Sequence, residues 1–123
     1  MSERAPDTRD TRPNVLLITT DQQRGDCVGY GTRGVRTPNI DALAARGTRF
    51  DTCITPNPMC QVARSSVLTG KLPYDHGVRD NGYDLSTDEA KDGLGGLFAS
   101  CGYQSMLIGK AHFATHLTFE PTG

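Results

Sequence analysis

Several side chains in this sequence could do chemistry if the fold brings them together: Asp21 with Gln22, Cys60, Arg64, Asn81, Lys110 and His112. Cys60 stands just ahead of residues 63–68, a run that reads as a short helix with Gly70 as its C′ residue. A helix start offers free backbone N–H groups and a partial positive charge. Arg64 adds a fixed cation whose fork matches oxyanions. Such a place suits an activated thiol, a metal-bound nucleophile, or a bound sulfate or phosphate. Each residue taken alone has a plainer explanation. Free cysteines are often buried packing residues. Asp21 suits a turn or cap, Asn81-Gly82 suits a tight turn, and Lys110 and His112 suit a solvated strand end.

The elements around these residues decide whether they meet. Residues 15–20 form a short, continuous, apolar run that predicts a strand buried on both faces, ending at Asp21. A glycine-rich loop, 25–36, follows. Thr37 then reads as an N-cap, with Pro38 at the first helical position, apolar Ile40, Leu43 and Ala44, and Gly47 past the end. Residues 49–55 alternate as a strand might, and Pro56 and Pro58 lead into Cys60. Residues 71–85 read as loop. Ser86-Thr87-Asp88-Glu89 predicts a capping box in which Ser86 caps and Glu89 reaches back. The helix it opens carries Leu94, Leu97, Phe98 and Cys101, weakened by Gly93, Gly95 and Gly96 and closed by Gly102. Residues 104–108 predict a second buried strand, running into Lys110 and His112. The alternation predicts an α/β layered domain with a mainly parallel sheet. Ligands gather at the carboxyl ends of such strands. Asp21, Lys110 and His112 would then share one edge beside the Cys60 loop, the last two on one side of an extended chain.

Composition removes several function classes. The chain has 123 residues, 36% of them apolar, and a formal net charge of -1. Nothing here suggests nucleic-acid binding, and no apolar run approaches the roughly 20 residues of a membrane span. Residues 1–12 are polar, without the apolar centre of a signal peptide, and read as a disordered lead-in, which predicts a cytoplasmic location. The four cysteines, Cys27, Cys53, Cys60 and Cys101, contain no Cys-x-x-Cys pair and read as reduced thiols. Gly29-Tyr30-Gly31-Thr32-Arg33-Gly34 satisfies a dinucleotide-loop pattern, but it lies too far from both strand and helix to bind a nucleotide that way.

The run Cys60-Gln61-Val62-Ala63-Arg64-Ser65-Ser66-Val67-Leu68-Thr69-Gly70 resembles the signature of the formylglycine sulfatases, Cys-x-Pro-Ser/Ala-Arg followed by Leu/Met-Thr-Gly. Val62 departs from it, standing where proline is usual in the motif that the converting enzyme reads. Further motifs occur in family order: Asp21-Gln22, Thr37-Pro38-Asn39-Ile40-Asp41 with Leu43, Asn81-Gly82, Gly102-Tyr103, and Ile108-Gly109-Lys110 with His112. The resemblance runs from Pro13 through nearly the whole chain. It implies the alkaline-phosphatase-like layered fold, N-terminal portion only, with residues 13–123 as the first part of a truncated catalytic domain.

By resemblance the chemistry is metal-dependent sulfate-ester hydrolysis. Cys60 is the residue that a formylglycine-generating enzyme oxidises to an aldehyde whose hydrate is the nucleophile. Asp21 and Cys60 are implied metal ligands, with Gln22 as a weaker, neutral contributor. Calcium is the first expectation, and manganese or magnesium are the alternatives, since all take hard oxygen ligands. Arg64 and Lys110 are implied catalytic cations, Lys110 and Asn81 substrate contacts, and His112 a holder of nucleophile or substrate. The implied partners are a small sulfate ester and the converting enzyme, with no nucleic acid or membrane. The Asp-Gln pair also resembles phosphonate monoester hydrolases of the same superfamily. This leaves phosphonate or phosphate ester hydrolysis as one alternative and a non-catalytic binding fragment as another. The chain by itself is expected to be an incomplete, inactive fragment.

Overall fold

A computed structural model places residues 11–114, and the description below concerns these. Residues 1–10 of the expected lead-in, and the chain after 114, lie outside them. The described residues form five helices: α1 Pro38–Arg46, α2 Cys60–Thr69, α3 Pro73–His76, α4 Thr87–Lys91 and α5 Leu94–Ser100. None is long and apolar enough to cross a membrane.

Helix α2 is the hub, with α3, α4 and α5 packed against it. Its first helical bond runs from Ala63 N to Met59 O at 2.9 Å. It stops at Gly70, whose φ of 69° is a left-handed conformation open to glycine at little cost. Its buried face carries Gln61, Val62, Ser65 and Ser66. Val62 and Val78 are fully buried and, with Leu85 and Ala90, form the core, flanked by Met59, Leu68 and Phe113. A buried polar pair closes the α2–α3 corner. Val78 N donates to His76 Nδ1 at 3.2 Å, so the ring proton sits on Nε2, which lies 2.9 Å from Ser66 Oγ. The α3 turn lies within 71–85, where the sequence pattern predicts loop. Pro73 at its first position and Gly77 just past its end, at φ 79°, are the signals for it.

The structure corrects the expected capping box and the helix after it. Ser86 Oγ accepts from Glu89 N at 3.2 Å, but the Glu89 carboxylate turns to Lys71 Nζ at 2.6 Å instead of reaching back. The expected single helix is two. The chain breaks at Gly93, where a Cβ would stand 2.9 Å from Leu68 O, so close approach to α2 requires glycine. Thr37 likewise precedes α1 without capping it. Its hydroxyl accepts from Gly29 N at 2.7 Å and donates to Asp41 Oδ1 at 2.9 Å.

The expected strands at 15–20, 49–55 and 104–108 do not form among the described residues, so the parallel sheet is absent from them. A strand exists only through a ladder with a neighbour, and apolar runs of this kind need cover on both faces. Here Leu16 is 83% and Ile108 87% exposed. The first and last of these segments are nonetheless tied together at both ends. Arg12 donates to Cys101 O and lies over the Tyr103 ring, and Tyr103 Oη donates to Pro13 O at 3.1 Å. At the far end Lys110 Nζ meets Asp21 Oδ2 at 3.0 Å. Start joins start and finish joins finish, so the two segments run in the same direction.

Candidate active site

Helix α2 begins at Cys60 itself, so the thiol sits at the helix start, among its unpaired N–H groups. Cys60 Sγ lies 3.6 Å from Asn81 Oδ1, and the same oxygen accepts from Gln61 N at 3.2 Å. Asn81 thus satisfies one of the orphan donors of the helix from a turn about twenty residues away. Gly82, at φ 94°, gives that turn the backbone the Asn-Gly pair suggested.

One turn along α2, Arg64 reaches the end of the last extended segment. Its Nη1 donates to Lys110 O at 2.6 Å and its Nη2 lies 3.7 Å from Asp21 Oδ1. Lys110 Nζ takes the other Asp21 oxygen. The Arg64 side chain is only 17% exposed, while Asp21 and Lys110 are about half-exposed. The Lys110 hydrogen bond, then the charges of Lys110 and Arg64, hold the Asp21 carboxyl below the ordinary value of 3.8 against a partial desolvation. Two cations therefore meet one carboxylate, leaving an excess of positive charge at this edge.

His112 adopts φ 56°, a left-handed conformation uncommon for a non-glycine residue, and its Nδ1 is buried with no hydrogen-bond partner among the described residues. Gln22 is also left-handed, at φ 54°, and exposed. The structure thus brings Asp21, Arg64 and Lys110 together in one cluster and Cys60 with Asn81 in a second, linked through α2. It gives His112 and Gln22 unusual backbones, and among the described residues neither is hydrogen-bonded to Cys60. The donors expected for a cation do not make a cage by themselves. Among the described residues no group of three or more His, Cys, Asp or Glu could hold a metal ion, and the Asp21 oxygens face cationic nitrogens.

Sequence reasoning passed over Gln61. It is fully buried, accepts from Gly82 N at 2.6 Å through Oε1, and donates from Nε2 to Tyr83 O at 2.8 Å and Phe113 O at 3.5 Å. Its signal was its place four residues before Ser65, on the buried face of the helix.

A family model described as Sulfatase matches residues 13–118. The chain is 37% identical over 102 residues to an arylsulfatase of Clostridium perfringens, covering 82% of this chain and 21% of that protein. It is 37% identical over 107 residues to a ulvan-active sulfatase of Formosa agariphila, covering 86% and 20%. To an N-acetylglucosamine-6-O-sulfatase of Bacteroides thetaiotaomicron it is 34% identical over 113 residues, covering 91% and 19%. The chain therefore spans about a fifth of the length of the curated relatives it matches. No solved structure matches.

Proposed function

The chain belongs to the sulfatase family, and from that premise we propose that its residues serve the hydrolysis of a sulfate ester, with Cys60 as precursor of the nucleophile. The observation that carries this reading is the placement of Cys60 at the start of α2 while Arg64, on the same helix, joins Lys110 around Asp21. Converted to formylglycine, position 60 would supply an aldehyde hydrate whose oxygen bonds to sulfur as the ester S–O bond breaks and the alcohol leaves with a proton, and loss of sulfate would then restore the aldehyde. Arg64 and Lys110 neutralise the negative charge that grows on the sulfuryl oxygens, and preorganised cations of this kind stabilise a transition state strongly. The Asn81 amide orients the ester oxygens. His112 lines the same edge, two residues beyond Lys110.

Asp21 and the converted Cys60, with Gln22 as a weaker contributor, are proposed as the part of a divalent-cation site that this segment contributes, with calcium as the preferred ion. Calcium takes about 6–8 oxygens, so these residues alone are too few and further ligands are needed. Residues 15–20 and 104–108 are proposed as parallel strands of the layered sheet, supported by their ties at both ends. Their exposed apolar side chains call for cover that a domain of the relatives' length would provide. The 123 residues alone are expected to show no turnover.

The Asp21-Gln22 pair keeps a second reading in view, hydrolysis of a phosphonate or phosphate ester, because the same cations accept either tetrahedral anion. The experiment is a pair of assays, on aryl sulfate and aryl phosphonate, with a longer sulfatase carrying residues 13–118 and coexpressed with a converting enzyme. Sulfate turnover lost in Cys60→Ala supports the first reading. Preference for the phosphonate supports the second. Activity unchanged by Cys60→Ala overturns both. Metal-dependent, Cys60-dependent turnover by residues 1–123 alone would overturn the expectation of inactivity.

A further inference from the structure

Gln61 lies between the proposed nucleophile position and the core, yet its amide does the work of neither. Burying a side-chain amide is unfavourable unless its polar atoms are bonded. Here Oε1 accepts from Gly82 N and Nε2 donates to Tyr83 O and, at longer range, to Phe113 O. All three partners lie 21 or more residues away in sequence, so the side chain contributes nothing to its own helix. Two of them directly follow Asn81, and the third directly follows His112. Phe113 O also accepts from Leu85 N at 2.9 Å, which joins the two partner segments to each other.

We propose that Gln61 is the positioning residue of this site. Its amide fixes the 81–83 turn against the start of α2, so that Asn81 is held on Cys60, and it fixes the chain just after His112 to the same point. This inference rests on reading Cys60 and Asn81 as site residues. It goes beyond that reading by assigning their geometry to one buried amide. Simple packing would ask only for a side chain of this size. An apolar residue of equal length fills the space but takes from Gly82 N and Tyr83 O the partner that ties their exposed turn to α2.

The test uses the 1–123 chain with Cys27, Cys53 and Cys101 changed to serine, so that alkylation by iodoacetamide reports Cys60 alone. Asn81→Ala, Gln61→Met and the double variant are compared at one pH. Residues in one hydrogen-bond network couple, so each single change should raise the Cys60 alkylation rate about threefold or more, and the double variant should gain little beyond the larger single effect. Effects that multiply in the double variant overturn the proposal, because a merely structural glutamine loosens the fold without acting through Asn81. A second readout needs no Gln61 variant and decides even where Gln61→Met fails to fold. Gly82 N–H should exchange with solvent at least about tenfold slower than an unstructured amide. Exchange at the unstructured rate overturns the proposal. Neither readout involves formylglycine or hydrolysis, so failure here and failure of the sulfatase reading are distinguishable.

Discussion

Val62 is the position where the sequence departs from the family motif, and the structure gives that departure a measurable consequence. Its side chain is fully buried in the core with Val78, Leu85 and Ala90. Val62→Ala removes two methyl groups, about 1.6 kcal/mol of transfer free energy at ~0.8 kcal/mol per carbon. The cavity left behind raises the expected cost to about 2–3 kcal/mol. Val62→Pro should behave differently. The hydrogen-bonded ladder of α2 starts with Ala63 N to Met59 O, so position 62 precedes it and its N–H is not needed there. Proline retains three side-chain carbons, and a helix's first turn accepts it. Some strain falls on Gln61, which precedes the new ring while helical. We expect a net cost below about 1.5 kcal/mol, as for a conservative change in core volume. Urea titrations followed by helical circular dichroism, at constant slope, measure both. The same two proteins, coexpressed with a converting enzyme, can be digested with trypsin to give peptide 50–64, which holds both Cys60 and Cys53. The aldehyde should rise in Val62→Pro and appear only at Cys60. A larger loss of stability for proline than for alanine would refute the helix-start argument. A cost for alanine no greater than that of a surface change would refute the core assignment.

Two further outcomes follow from single groups. Lys110→Met should move the Asp21 titration upward, because the Lys110 hydrogen bond is the leading cause of its depression. A depressed carboxyl stabilises the fold above its unfolded value and loses that contribution as pH falls through the folded one. Acid sensitivity below about pH 4 should therefore flatten in the variant, as read by carboxyl NMR titration and acid unfolding. An unmoved Asp21 would separate the two residues. Ser65 Oγ is buried with no hydrogen-bond partner among the described residues. Ser65→Ala should stabilise the chain by about 1 kcal/mol or more, since an unsatisfied buried hydroxyl costs roughly 1–3 kcal/mol and alanine favours helix. A lower urea midpoint would show that the hydroxyl has a partner after all.

Local signals were legible where the physics is local. The helix ending at Gly70, the helix opened by Pro38, the Ser86 cap and the turn at Gly82 were all readable, because each depends on a few neighbouring residues and their allowed backbone conformations. So was the family, since its motifs are short strings in a fixed order. What only the tertiary structure decided was partnership. Glu89 could have closed its own cap, but Lys71 lies 2.6 Å away and offers a charged partner. At Gly93, where the expected helix is interrupted, the chain comes so close to the Leu68 carbonyl that a side chain would not fit, a contact set by packing against α2. The apolar runs at 15–20 and 104–108 have strand composition in any context, yet a strand requires a second backbone at ladder distance, and nothing in a segment's own sequence supplies one. Gln61 reads as an ordinary polar helix residue until its distant partners are in place. The sequence determined which residues could act, through side-chain chemistry and local conformation. The fold decided which of them meet, because hydrogen bonds and ion pairs between residues far apart in the chain depend on packing that no local window contains.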